Sequence, residues 1–479
     1  MKTFAPECTL PETGPAFIQQ PNVRSTMDII WSSLVIMVLC TWSILHLNVP
    51  PQLKPLPPPK NVWERFRRSF FISWYRAKPK IRWMAFTMLF PEWPLGVAIK
   101  TLASGLKHTQ EFNAFQETEK LGDEAEWTLT HSMYANMGGF VVRFPTTEDL
   151  GQPSIEETSD RIGTWLDKLR VYSEVGYRHL GPFDWDPHRK HFALAKANIG
   201  FLGLDEQNVS DGEARALSGS VWALNAPQLL EARRCGIIRQ LSAITEDEIN
   251  DKNKGDMLIK LLAILQVVWL NIQLIIRAIE GRQSSQLEIT ALALAACAFA
   301  TYVLLLWQPK DIYTPAVLLA QRSPSQEEFD KLVKLTSKGG FFSRKSYTVK
   351  NFTNPDAGEG KIEEGLDWYG TAIGLFIFGC IHLVAWNFHF PSAVEQLLWR
   401  ISSLLVVCLP LALMVAFFFY IKAASGSWQE GVALIFLLLI LVVFALARLF
   451  LLVEAFRSTY YLPPSSYVAT WANNIPHFG

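Results

Sequence analysis

Residues 257–307 read MLIKLLAILQVVWLNIQLIIRAIEGRQSSQLEITALALAACAFATYVLLLW. Two apolar runs, Met257–Ile279 and Leu287–Trp307, flank the short polar loop Glu280–Gln286. Each run is long enough to cross about 30 Å of hydrocarbon as a helix, and so short a loop makes the two antiparallel neighbours. The stretch therefore reads as a membrane hairpin. Gln266, Asn271 and Gln273 lie within its first arm, and Glu288 opens the second.

Toward the C-terminus, Pro309–Asp367 is polar and basic through Lys331, Lys334, Lys338, Arg344 and Lys345, which marks it as cytosolic. Three more apolar runs follow, at about Trp368–Asn387, Ile401–Ile421 and Val432–Val453. Toward the N-terminus, residues 104–254 hold no apolar run of spanning length and carry an acidic excess. They form a cytosolic insert whose C-terminal portion is expected to be helical, opened by Ala226-Pro227 and capped again at Thr245-Glu246-Asp247-Glu248. Phe183-Asp184-Trp185-Asp186-Pro187-His188 reads as a turn within it. Ile81–Leu102 is apolar, but Pro91, Glu92 and Pro94 interrupt it, so a re-entrant or interfacial helix pair is expected rather than a crossing. Before it, Arg65, Arg67, Arg68, Arg76, Lys78, Lys80 and Arg82 interleave with Trp63, Phe66, Phe70, Phe71, Trp74 and Tyr75, a composition able to lie on an anionic leaflet. Basic charge so near the first span, Asp28–Leu47, puts that side in the cytosol and the N-terminus in the lumen.

The expected fold is an all-α polytopic membrane protein of about six transmembrane helices, seven if Ile81–Leu102 crosses, with a mainly helical cytosolic insert. The segments are a lumenal stretch 1–27 and a first span 28–47, then a basic linker with interfacial or re-entrant helices, 51–103. The insert 104–254, the hairpin 255–307 and the basic loop 308–367 follow. Three spans, 368–455, and a tail, 456–479, complete the chain. Half of the 479 residues are apolar and 18% are charged, as in a multipass protein with a sizeable polar part. Forty-four basic residues balance forty-four acidic ones, so nothing points to nucleic acid as a partner. The six scattered cysteines form no CxxC pair and indicate neither a disulfide framework nor a cysteine metal site.

In Cys380–Pro391, helical spacing puts His382, Trp386 and His389 on one face, with Glu395 and Arg400 in the loop after Pro391. Titratable groups at a membrane boundary are costly and count as functional candidates, though histidines also cap or bridge helices there. Glu126–Phe140 is the densest polar and aromatic stretch outside the spans. Trp127, His131 and Tyr134 share a face that Gly138-Gly139 would end. His131 or Glu126 reads as an acid or base there, or the helix lies on the membrane. Asp28 and Glu288 each begin a span, where the helix dipole alone favours an acid. Arg448, deep in the last span, needs a partner, and Glu288 and Glu454 are the expected ones. HxxH and HxxxH spacings are missing from the spans, which leaves a metal at His382 and His389 as a third possibility and no cofactor expected. GxxxxGK[ST], GxGxxG and GxSxG are missing as well, which removes the usual support for ATP-driven transport, dinucleotide use and serine hydrolysis. Without an internal repeat, a pseudosymmetric transporter gains no support either.

Asn22–Ser33, Trp127–Phe140, Asp251–Asp256, Ser285–Ile289 and Trp386–Arg400 are similar to blocks of a large family of filamentous-fungal multipass membrane proteins. The resemblance covers nearly the whole chain. It implies a fungal source and an endoplasmic-reticulum-type membrane. For some members it implies non-conventional membrane-bound terpene cyclisation of epoxidised prenyl-aromatics in meroterpenoid pathways. It carries over no catalytic residues, and this chain is far longer than the small seven-span cyclases of indole-diterpene pathways.

The expected function is therefore cyclisation of a lipophilic prenyl or meroterpenoid epoxide in fungal secondary metabolism. Asp28, Glu288, His382, His389 and His131 are the acid/base candidates, and Trp31, Trp127, Tyr134, Trp386 and Asn387 the substrate-lining ones. A buried acid supplies the proton, aromatic faces steady the carbocation, and dryness protects it. Membrane lipid and pathway enzymes are the expected partners. A transporter, or a scaffold for a biosynthetic complex, is the alternative. The triplets Asn208-Val209-Ser210 and Asn351-Phe352-Thr353 fall on the cytosolic side of this topology. Endoglycosidase treatment of the microsomal protein should therefore leave its gel mobility unchanged. A mobility shift lost on Asn208→Gln or Asn351→Gln would invert the topology.

Overall fold

The computed structural model describes residues 23–50, 61–119, 126–143, 221–238, 244–253, 257–322, 324, 325, 327, 328, 331, 332, 335, 366–422 and 428–470. The turn expected at 183–188 and both glycosylation triplets lie outside them. Among the described residues the chain is helical apart from three four-residue strands and short connections. Six helices are long and apolar enough to cross a membrane, with qualifying stretches at Thr26–Ile44, Leu261–Ile279, Gln286–Leu304, Leu366–Asn387, Ala393–Pro410 and Leu434–Tyr461. They belong to α1 (Thr26–Ile44), α7 (Met257–Ile279), α8 (Gln286–Leu304), α9 (Leu366–Leu383), α10 (Ala393–Lys422) and α11 (Trp428–Ser458). This is an integral membrane architecture.

Their apolar side chains form one core, in which Leu294, Cys297, Phe378, Trp399, Val406 and Leu451 are all buried. Many outward residues of α7, α9 and α11 are large, apolar and exposed, as lipid-facing surfaces must be. α10 begins at Ala393, eight residues ahead of the run at Ile401, and takes in Glu395 and Arg400, which the sequence placed in a loop. Pro391 cannot continue the helix before it, but two residues on it does not hinder the start of a new one.

Two helices enter this bundle from the side. α2 (Val62–Leu89) and α3 (Glu92–Glu119) meet at Phe90-Pro91. The first half of α3 packs along α9 with almost no space between the backbones. A Cβ on Gly96 would lie 2.3 Å from the Asp367 carbonyl, and one on Gly374 would lie 3.0 Å from Glu92 Cα. Close approach through small residues is how membrane helices gain packing and electrostatic contact without a hydrophobic drive. The contact sets Glu92 beside the middle of the span Leu366–Asn387.

The second half of α3 leaves the bundle and joins a separate small core. That core holds α4 (Leu129–Asn136), α5 (Ala226–Arg234), α6 (Glu246–Lys252) and the sheet β2-β1-β3. β1 (Phe140–Arg143) pairs antiparallel with β2 (Val221–Leu224) and parallel with β3 (Ala316–Leu319). Phe112 from α3 stacks on Trp127 with ring centroids 4.0 Å apart, so one helix serves both cores. α3 therefore runs straight through position 103, where the polar insert was expected to begin; Lys107 and Glu111 lower the hydropathy there without breaking the helix.

Polar side chains fasten the bundle at both ends. Where α1 finishes, Lys310 Nζ donates to the Trp42 and Ser43 carbonyls at 3.1 and 2.7 Å, a cation at the negative end of the helix dipole. Where α1 begins, Val23 bridges Val468, and Arg24 binds the Tyr467 carbonyl through its backbone and the Ser466 carbonyl through Nε. Gly96→Leu should lower the thermal midpoint of the detergent-solubilised protein by an amount corresponding to about 1–3 kcal/mol, the usual cost of overpacking. An unchanged midpoint in a thermal melt would mean that α3 and α9 do not touch as described.

Candidate functional site

Seven of the ten candidates, Asp28, Trp31, Glu288, His382, Trp386, Asn387 and His389, lie toward the end of the bundle where α1 begins. Asp28 is exposed and belongs to a capping box: Ser25 N donates to its carboxylate at 2.7 Å, and its own N–H donates to Ser25 Oγ at 3.0 Å. Glu288 repeats the motif with Ser285 but is 1% exposed. Its Oε1 also takes Arg24 Nη1 at 2.5 Å and its Oε2 takes Arg24 Nη2 at 3.3 Å. Arg277 completes the layer by donating to the carbonyls of Gln283, Ser465, Ser466 and Val468. Both Glu288 oxygens are thus held in a bidentate ion pair, which suits an anchor better than a proton donor.

The common face of His382, Trp386 and His389 does not form. The α-helix stops at Leu383 and tightens to a 3-10 turn over Val384–Asn387, so the side chains after it no longer follow helical spacing. His382 is fully buried; its Nδ1 donates to the Phe378 carbonyl at 2.8 Å and its Nε2 lies 3.3 Å from Thr290 Oγ1. Its ring stacks on Phe378 and tilts against Trp399. Trp386, Asn387 and His389 sit exposed at this end of the bundle. Arg400 lies over the Trp386 ring at 5.1 Å and donates to the Trp386 carbonyl and to Asn387 Oδ1. His389 is tied there through its carbonyl, which accepts from Gln286 Nε2. Trp31 is 62% exposed and points away from the bundle interior.

Two charged groups at membrane depth, Arg448 and Glu454, have partners other than those expected for them. Arg448 pairs with Glu92 at 2.6 Å, not with Glu288 or Glu454, and its guanidinium lies 3.7 Å from the Phe378 ring centre. It also donates to the Leu89 carbonyl at 3.1 Å, which ties it to the α2–α3 junction. Glu454 turns instead to Arg457, whose same Nη1 also binds Glu395. One guanidinium therefore faces two carboxyls. Glu454 Oε1 and Glu395 Oε2 are buried without a protein partner.

The remaining candidates lie at the opposite end, inside the small core. Thr128 N donates to His131 Nδ1 at 3.2 Å, and His131 Nε2 donates to the Ile244 carbonyl at 2.8 Å. Both ring nitrogens are thereby occupied, in a box that caps α4. Trp127 Nε1 donates to Ser132 Oγ, and Tyr134 packs edge-on to Phe140. Thr130 through Asn136 are buried throughout, so α4 is a core helix rather than one lying on a membrane. Gly138-Gly139 does end it; a Cβ on Gly139 would strike the Tyr134 ring at 2.3 Å. A cleft between the two cores is lined by His46, Asn48, Thr101, Asn136 and Gln308, with His108 buried nearby against Asn136. Among the described residues no cluster of three His, Cys, Asp or Glu side chains could hold a metal ion.

Burial, helped by the charge of Lys107, pushes the His108 imidazole down to about 4. The unfolded chain takes up that proton near pH 6.5 and the folded chain does not, so stability is complete above pH 6.5 and falls as pH drops toward 4. The loss approaches roughly 3 kcal/mol, and His108→Gln should flatten the profile in melts recorded across that range. Arg448→Met alone should cost about 3–5 kcal/mol by stranding Glu92, whereas Glu92→Leu with Arg448→Met should recover most of it. Equal losses in the single and double variants would show that the pair is not buried.

The chain belongs to a family of unknown function (DUF8562), whose model matches residues 3–177 and 230–343. The match takes in α1–α4, β1, the end of α5, α6–α8 and β3, while β2 and α9–α11 lie outside it. No curated protein and no solved structure matches the chain.

Proposed function

We propose that this protein is an integral membrane isomerase that cyclises a prenyl or meroterpenoid epoxide by acid-initiated carbocation chemistry in fungal secondary metabolism. The observation that carries the reading is the pair of carboxyls, Glu395 and Glu454, sharing Arg457 at the end of an aromatic-rich bundle. A single cation balances one carboxylate, so the trio is neutral only when the second carboxyl carries a proton.

In this reading that proton passes to the epoxide oxygen and the C–O bond opens to a tertiary carbocation. An alkene of the same chain attacks the cation, and the closing deprotonation returns a proton to the carboxylate. Substrate and product then have equal mass. Phe390 and Trp399 supply the cation-stabilising wall, and Trp386 with Asn387 stands at the entrance. Glu92 and Arg448 hold α3 against α9 as positioning residues. The prenyl substrate reaches that entrance through the bilayer of an endoplasmic-reticulum-type membrane.

The test is expression in a host without terpenoid pathways, feeding of an epoxidised farnesyl-aromatic to microsomes, and chromatography for an isomer of unchanged mass. Glu454→Gln and Glu395→Gln should each lower isomer formation at least about 100-fold, the usual span of general acid catalysis, with membrane insertion and melting retained. No isomer from any prenyl epoxide, together with a phenotype in export or partner recruitment, would favour the transporter or scaffold. Full turnover in both variants would move the acid elsewhere.

A further inference from the structure

The first half of α2 carries a feature that the bundle does not use. Trp63, Phe66, Phe70 and Trp74 recur at spacings of three and four, which sets them in one narrow stripe along the helix. All four are exposed, from 51% at Trp74 to 73% at Trp63, and Trp63 stacks on Phe66 with ring centroids 5.8 Å apart. Among the described residues no ring outside α2 is paired with them. Four large aromatic side chains held in water by one helix face would be a costly arrangement.

The charge around the stripe is one-sided. Between Val62 and Arg82 the sequence has seven basic residues against one acidic. Glu64 is paired with Arg68, and Lys80 is matched by Asp311 at 2.7 Å. Arg65, Arg67, Lys78 and Arg82 are exposed.

The C-terminal part of α2 fixes the level at which this half leaves the bundle. Lys80 Nζ lies 4.3 Å from the Trp42 ring centre, and Arg76 lies 4.5 Å from that of Tyr313. Trp42 is in the last turn of α1, where Lys310 caps the span. That is where the hydrocarbon must give way to headgroups. From Lys80 the helix continues nine residues to Leu89, about 13 Å, and so reaches the mid-span position of Glu92. Pro79 lies inside α2 at this same level, and a proline within a helix is where it bends, so the half that bears the stripe starts at the boundary without having to follow the inward course of residues 80–89.

We propose that residues 62–76 lie in the plane of an anionic membrane leaflet, with Trp63, Phe66, Phe70 and Trp74 among the acyl chains and Arg65 and Arg67 at the lipid phosphates. The occupant is lipid rather than protein because the stripe is continuous with the bundle's own membrane boundary and is fringed by cations. The side of the bundle on which α2 lies is then the anionic one. The proposal is independent of the isomerase reading.

The experiment reconstitutes the full chain in nanodiscs of phosphatidylcholine, with or without phosphatidylserine, each doped with a lipid bearing a diazirine at its acyl terminus. After illumination, cross-linked residues are located by peptide mass spectrometry. Stripe peptides should be labelled, several-fold more with phosphatidylserine, while α1 and α11 peptides are labelled equally in both. Phe66→Asp with Phe70→Asp should abolish stripe labelling and spare that of α11. Arg65→Glu with Arg67→Glu should remove the dependence on phosphatidylserine. Labelled spans beside an unlabelled stripe would overturn the proposal, and so would stripe labelling indifferent to lipid charge. Cross-linking of the stripe to a protein in native microsomes would overturn it in favour of a protein partner.

Discussion

A guanidinium and a carboxylate held 2.6 Å apart inside an apolar bundle constrain everything packed around them. Arg448 cannot be left in hydrocarbon alone, so Glu92 must be present at the same depth. Glu92 can reach it only because Phe90-Pro91 starts a new helix there and because Gly96, Gly370 and Gly374 let that helix lie against α9. The ion pair, the chain break and the glycine contact thus form one device. Removing any part leaves the other two without a purpose.

The spans were plain in the sequence because crossing a bilayer demands long apolar runs, and Met257–Ile279 or Val432–Val453 can hardly be read otherwise. Both capping boxes were half visible. An acid at the start of a span was recognised at Asp28 and Glu288, and the serine three residues earlier completes each motif. Pairings between distant positions were not visible. Glu92 and Arg448 are 356 residues apart, and in the sequence Glu92 stands out only as an interruption between two prolines. Arg24 looked like part of a polar cap, yet it binds Glu288 across the bundle.

The small sheet is illegible in the sequence for a related reason. FVVR, VWAL and AVLL are too short to show alternation, and β1 lies parallel to β3 across a long stretch of intervening chain. Around His382–His389 the helical period does not hold, because the α-helix ends at Leu383 and does not run through Asn387. The change to 3-10 geometry at Val384 buries His382 and sends Trp386 and His389 to the surface, a distinction that composition does not encode. The shared guanidinium of Glu395 and Glu454 likewise depends on how α10 and α11 rotate against each other.

α3 has a mechanical consequence. It is one unbroken helix, wedged at Gly96 between membrane helices and planted at Phe112 in the small core. The two positions are sixteen residues apart, about 24 Å along the rod. A rotation of about 5° at the glycine fulcrum would sweep the far end through roughly 2 Å, more than a well-packed core absorbs without rearranging. The small core is therefore coupled to the bundle as the pointer of a gauge is coupled to its spindle, and any event that shifts α9 against α3 is displayed, magnified, on the other side of the membrane boundary.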